Sequence, residues 1–238
     1  MDNRAIGVFD SGIGGLTVLK RLVKFFPDED FIYLGDNGNV PYGCRTKEEI
    51  EALTFSNLEK LARLGVKAVV IACNTASVNT STDEVCGVPV FRLSPGARIC
   101  ERSDASGCFL GTPSTVEAVK RKGSFLRFSA MDFIAPARLA NDIENKVAFG
   151  GKCVLADHLV TTYKKYDFLY LGCTHYLYLK EELKRFYGVE KVYDGVDSIL
   201  QNLFDYMDKN GLQGQNIQLV RFVGEFDELN MKIFKRKL

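Results

Sequence analysis

Charge of one sign is almost missing from this chain. Its 238 residues hold 31 Lys and Arg against 30 Asp and Glu, a net charge of +1. A surface so balanced raises no broad field, and a nucleic-acid-binding role is not expected. Long apolar runs are missing too. None approaches the roughly 18 to 20 residues a bilayer-crossing helix needs. The N-terminus passes almost at once into the strand-like "AIGVF" without a signal-peptide pattern, so a cytoplasmic protein with no membrane partner is expected. Histidine is scarce, with only His158 and His175, and no two cysteines stand in C-x-x-C spacing. That leaves a structural zinc site unsupported. The seven cysteines are an odd number in a chain without a secretion pattern, which fits reduced thiols better than a disulfide framework. Most of them, Cys108 and Cys153 among them, are expected to serve as small core hydrophobes.

What is present is ordinary globular material, with 46% hydrophobic and 26% charged residues and no low-complexity segment. The length suits one large domain or two modest lobes. Short apolar runs at 5–9, 31–35, 68–72 and 88–92 read as strands. Between them, 16–26 carries apolar residues on one helical face, and 46–65 opens on Thr46 and Glu49 in a capping-box pattern. A second series follows "LSPGAR": strands at 108–111, near 125–128, at 168–172 and at 191–194, with helices over 177–187 and 197–209. A late strand reads at 216–224. The basic ending "KRKL" reads as a solvated tail. The alternation predicts an α/β protein of two similar lobes, each a mostly parallel sheet flanked by helices.

In open parallel sheets ligands collect at the carboxyl ends of the strands. Four of those ends carry unusual residues. "VFDSGIGG" places Asp10 and Ser11 before a glycine-rich turn; "YLGDNGNVPYG" ends in Pro41, Tyr42 and Gly43; "ACNTAS" holds Cys73, Asn74 and Thr75; "GCTHY" holds Cys173, Thr174 and His175. As a dinucleotide fingerprint the first is poor. Gly12 and Gly14 fit, but Thr17 occupies the third glycine position, although Asp36 lies where a ribose-binding acid would be. Asp10 would repel a pyrophosphate and suits an ammonium group better.

Cys73 and Cys173 each end an apolar strand and precede small polar residues. One such cysteine would be explained by packing. Two in matching positions, each followed by threonine within two residues, point to chemistry. Helix starts after them would offer N–H groups to an anion and lower the thiol pKa from its usual value of about 8.5. His175 is a proton partner for Cys173. Two lobes facing each other across a cleft would set these thiols on opposite sides of one tetrahedral carbon. That arrangement suits inversion, whereas a hydrolase has no use for a mirrored second nucleophile.

"IGVFDSGIGGLTVL" (6–19), "PYG" (41–43), "ACNTAS" (72–77), "PGA" (95–97), "GTPST" (111–115), "LGCTHY" (171–176) and "DS" (197–198) together resemble the cofactor-independent glutamate racemases of the aspartate/glutamate racemase group. The resemblance implies interconversion of L- and D-glutamate by two thiols without cofactor or metal, supplying D-glutamate for peptidoglycan. It assigns Cys73 to the D side and Cys173 to the L side. Asp10 and His175 join them in catalysis. Ser11, Pro41, Tyr42, Gly43, Asn74, Thr75, Thr112, Thr115 and Thr174, with Asp10 and His175, form the substrate site. It further implies a homodimer, a late segment returning to the first lobe, and lobes of 1–92 plus 210–238 and of 93–209.

Three departures from the family pattern stand out. Leu177 replaces a proline and Ser94 a charged residue. Linear alignment also puts Leu139 where the family carries a glutamate that poises the second thiol. Asp142 or Glu144 would supply that acid in a shifted register; without either, L-to-D turnover would be impaired. The competing readings are an aspartate racemase or related isomerase, a catalytically impaired ligand-binding member, and, least of all, a dinucleotide-dependent oxidoreductase.

Overall fold

The computed structural model describes residues 2–96, 99–151, 153–159 and 165–236. Ala97 of "PGA" and the last two residues of "KRKL" lie outside the described residues. The elements in chain order are β1 (Ile6–Asp10), α1 (Gly15–Phe25), β2 (Phe31–Gly35), α2 (Lys47–Arg63), β3 (Ala68–Ile71), α3 (Asn74–Asn79), β4 (Glu84–Val85), β5 (Val88–Arg92), β6 (Ser106–Gly111), α4 (Pro113–Lys122), β7 (Ala130–Ile134), α5 (Leu139–Phe149), β8 (Phe168–Gly172), α6 (Lys180–Tyr187), β9 (Lys191–Tyr193), α7 (Val196–Asn210), β10 (Val220–Val223) and α8 (Asp227–Lys235).

They build two sheets. The first runs β10-β2-β1-β3-β5-β4, with only the short β4 antiparallel; the second runs β7-β6-β8-β9 and is parallel throughout. In the first, β1 lies between β2 and β3; in the second, β6 lies between β7 and β8. Successive connections therefore diverge to opposite sides of β1 and of β6, and that divergence opens a crevice at the carboxyl ends. The strands read as near-continuous apolar runs because helices cover both faces. Ile6, Val8 and Val70 face one buried cluster, whereas Phe9, Val69 and Ile71 face another, as the two-residue period of a strand requires.

α1 buries Leu16, Leu19 and Leu22 at helical spacing. α2 begins with the expected capping box: Thr46 Oγ1 accepts from the Glu49 N–H at 3.2 Å, and the Glu49 carboxylate accepts from the Thr46 N–H at 2.8 Å. Thr46→Ala removes one reciprocal bond and should lower unfolding free energy by about 1 kcal/mol in denaturant titration. An unchanged midpoint would show that water replaces the cap.

Several readings need correction. Residues 125–128 form no strand; Phe125 and Phe128 bury their rings beside Phe109 and Phe168, and the strand comes later, as β7. The apolar signal there is core contact without a ladder. Residues 177–179 belong to a 3₁₀ turn, Thr174–Leu179, before the α-helix starts at Lys180. The late strand is shorter than its apolar pattern, because Ile217 and Leu219 are exposed. It pairs in parallel with β2, so the chain does return to the first sheet. Nor are most cysteines core residues. Cys108 is buried, but Cys44, Cys86 and Cys100 are exposed and Cys153 is half-buried. Cys86 shares the two-residue turn between β4 and β5 with Gly87, both at positive φ (50° and 75°), so it points away from the core.

The helix α7 buries Val196, Ile199, Leu200, Leu203 and Met207 in the same cluster as Ile6, Val8, Leu16 and Val70. Arg21 of α1 ties down its start through Asp194 (2.9 Å) and Asp197.

Candidate active site

The carboxyl ends of both sheets meet at one cavity. Its lining takes Ser11 after β1, Val40 to Cys44 after β2, Cys73 to Thr75 after β3, Thr112 after β6, Ala137 and Ala140 around the start of α5, and Cys173 to His175 after β8. The two thiols thus come from different sheets and reach one space. Each is nearly enclosed, Cys73 at 4% and Cys173 at 5% exposure.

Cys73 caps α3, its sulfur 3.4 Å from Ser11 Oγ and 3.5 Å from the Ala76 N–H. The helix start does not give the expected low pKa. Burial pushes the thiol up to about 12, and the Asp10 carboxylate adds to this, against the smaller opposing effect of Ser11 and Ala76. Desolvation of a thiolate here exceeds what one N–H at the end of a short helix returns.

Cys173 is in a different setting. Its sulfur lies 3.8 Å from His175 Nδ1, and His175 Nε2 bonds to Glu144 Oε2. Burial alone would push the imidazole pKa down. The hydrogen bonds to Cys173 and Glu144 outweigh it and hold His175 well above its usual value. Glu144 is lowered although burial opposes this, because it accepts from His175, from the Ile13 N–H (3.2 Å to Oε2) and from Asn37 Nδ2 (3.0 Å). Of the three positions considered for the acid, Leu139 is fully buried in the second sheet's core and Asp142 pairs with His158 at 3.0 Å. Glu144 is the carboxylate that reaches His175. A carboxylate thus stands behind His175, five residues beyond the aligned position.

Asp10 does not line the cavity. It is fully buried behind Ser11, with the Gly12 N–H on Oδ1 (2.9 Å) and the Thr174 hydroxyl on Oδ2 (3.1 Å). Burial lifts its pKa to about 6, against the pull of His175 and of the Gly12 and Gly15 N–H groups. The glycine turn after it is tight for a reason. A Cβ on Gly14 would overlap Thr174 Oγ1 and stand 2.7 Å from His175 Nδ1, so the absent side chain is what lets β8's carboxyl end approach α1.

The remaining expected residues divide into lining and support. Thr75, Thr112 and Thr115 form a ring of hydroxyls 2.8 to 3.0 Å apart that joins the two sheets' ends, with Thr115 behind the other two. Tyr42 is turned so that its hydroxyl donates to Asp36 Oδ2 (2.5 Å), which also accepts from Asn57 (3.0 Å). Asp36 thus braces the Tyr42–Gly43 turn. The peptide before Pro41 is cis. Asn74 Oδ1 is buried without a hydrogen-bond partner among the described residues. Sequence reasoning missed Asn37 and the lining by Cys44, Ala137 and Ala140; nothing in their local pattern marks them.

No helix among the described residues is long and apolar enough to cross a membrane, and no cluster of three metal-ligating side chains occurs among them.

No family model matches the chain. It is 32% identical to the glutamate racemase of Clostridium acetobutylicum, over 99% of this chain and 90% of that one. It also superposes on the glutamate racemase of Thermus thermophilus solved with beta-chloro-D-alanine, at TM-score 0.76 and 31% identity, covering 100% of this chain and 96% of that one. A glutamate racemase isoform from Bacillus anthracis gives TM-score 0.78 at 28% identity, covering 96% of this chain and 92% of that one. With two enclosed thiols converging on one cavity and this similarity running the length of the chain, the protein belongs to the glutamate racemase family.

Proposed function

We propose that the protein interconverts L- and D-glutamate by two-base proton transfer at the α-carbon, without a cofactor. The carrying observation is that Cys73 and Cys173 reach one cavity from the ends of two different sheets. Charged His175 offers an N–H to Cys173, the partner a thiolate needs, whereas Cys73 rests as a thiol. Cys173 then takes the α-proton from L-glutamate while Cys73 delivers its own to the opposite face. D-glutamate reacts in reverse.

Substrate carboxylates are received by backbone N–H groups and hydroxyls of the Tyr42–Gly43 turn, of Asn74 and Thr75, and of Thr174. The ammonium meets Ser11 and the unpartnered Asn74 Oδ1, with the Asp10 charge behind them. Keeping the ammonium charged and the α-carboxylate hydrogen-bonded lowers the carbanion-like transition state electrostatically. Glu144 is a positioning residue that keeps His175 protonated.

The reading carries with it D-glutamate supply for peptidoglycan in the cytoplasm and a homodimeric state, the latter checked by sedimentation. We also place α7 with the first lobe, as 2–92 plus 196–236, rather than beginning that second portion at 210, because its apolar face is buried there.

Either enantiomer incubated in deuterated water should lose its circular dichroism while gaining one α-deuteron per inversion. Folded protein that exchanges no α-proton of glutamate would sink this assignment. Turnover of aspartate alone would move it to the neighbouring racemase.

A further inference from the structure

Glu144 sits on α5 beside the second sheet, yet part of its hydrogen bonding comes from the first lobe's end. Asn37 Nδ2 donates to Oε1 at 3.0 Å. Asn37 Oδ1 in turn accepts from Asn230 Nδ2 at 3.1 Å, and Asn230 is a 1%-exposed residue of α8. The amide orientations follow from chemistry. An ionised carboxylate only accepts, so Asn37 must aim its NH₂ at Glu144. Its oxygen then faces Asn230 and requires a donor there. Asn230 supplies one, and its own oxygen is left buried without a partner among the described residues. An orphaned buried acceptor costs free energy, so the arrangement sacrifices satisfaction at Asn230 to fix Asn37.

Gly35 makes room for the pair. A Cβ there would stand 2.7 Å from Asn37 Oδ1 and 2.9 Å from Asn230 Nδ2. Without the Asn230 donor, the Asn37 oxygen loses its partner and the side chain is no longer held with its NH₂ on Glu144.

We propose that Asn37 and Asn230 are a positioning pair for the active site, through which the C-terminal helix α8 sets the charge and orientation of Glu144 and hence the His175–Cys173 partnership. The proposal rests on the two-thiol reading for its effect on turnover, but not for its effect on Glu144. The titratable groups facing Glu144 are His175 from the turn after β8, Tyr178 further along that turn, Asp10 from β1 and Tyr33 from β2.

The test uses Asn37→Asp and Asn230→Asp, which keep shape but exchange donors for acceptors. A hydrogen bond from a neutral donor to a buried charge corresponds to about one pH unit of carboxyl titration. Losing it raises the proton affinity of Glu144, so the acid limb of kcat/KM should move up by about one unit. Meanwhile kcat should fall about tenfold, with KM changing less than about twofold, and Asn230→Asp should show the smaller effect. A purely space-filling role predicts no such movement.

The chain has only two histidines, and His158 faces Asp142 instead. Imidazole NMR therefore reads the pair directly. The acid transition of the His175 resonance should move up in both variants. Superimposable His175 curves overturn the proposal whether or not the protein turns over glutamate. A moved His175 transition with unchanged kcat/KM overturns its catalytic part. If the unmodified protein does not racemise glutamate but the His175 transition moves, the two-thiol reading fails and the positioning pair stands. Should Asn37→Asp fail to fold, Asn230→Ala removes only the outer donor and carries the same readouts.

Discussion

Cys73→Ser and Cys173→Ser should each reduce racemisation by three orders of magnitude or more, and equally in both directions. The equality is thermodynamic. The two enantiomers have the same free energy in solution, so the ratio of kcat/KM in the two directions stays at one in any variant. The size follows from the loss of a positioned acid or base, worth about 10²- to 10⁴-fold, compounded because a hydroxyl is a far weaker acid than a thiol. The variants differ in proton exchange without inversion. With Cys73 replaced, Cys173 and its His175 partner remain, so L-glutamate should still exchange its α-proton slowly with deuterated water while D-glutamate does not. With Cys173 replaced, the pattern should be the mirror image. Exchange of both enantiomers in either variant would mean that one base reaches both faces, and the two-thiol scheme would fall.

Glu144→Gln should lower kcat by about 10²- to 10³-fold, with a smaller effect on KM. A carboxylate that holds a histidine in its protonated, oriented form cannot be replaced by a neutral amide of the same shape, for the reason an aspartate behind a catalytic histidine cannot. The pH dependence of stability should change with it. Glu144 is depressed below its ordinary 4.5, so the stability it contributes is present above that value and is lost as pH falls through its folded-state pKa. His175 is raised above its ordinary 6.5, so its contribution is full below that value and is lost as pH rises through its elevated folded-state pKa. The native protein should therefore weaken at both ends of the range, and Glu144→Gln should flatten both slopes. Unchanged alkaline unfolding in Glu144→Gln would show that His175 draws its proton affinity from Cys173 alone. Asp10 has the opposite sign for an acid. Its pKa is raised from 3.8 to about 6, so ionising it costs stability as pH rises through that window.

The alternation of apolar runs with helix-period segments places seven of the ten described strands and the helices α1, α2 and α7 within about two residues, but leaves α4, α5 and α8 unread. Strand order is another matter. Nothing local says that β10 returns beside β2 or that α7 belongs to the first sheet's core, because those pairings join segments some 190 residues apart. The false strand at 125–128 shows the same limit from the other side. Phe125 and Phe128 give the same apolar signal whether they lie in a ladder or only press rings into a core.

Residue type and motif spacing by themselves determined that two thiols stand at matching strand ends, with hydroxyls, an amide and a histidine beside them. Tertiary structure decided which acid reaches the histidine beside the second thiol, and how deeply the first one is buried. Leu139 and Glu144 are five residues apart on one helix, about 140° around its axis, so only the way α5 packs determines which faces the cleft. The same enclosure withdraws Cys73 from water, and the cost of charging it there overrides the helix start that its neighbours suggested. Pattern is local and periodic; burial and facing depend on what the rest of the chain brings alongside.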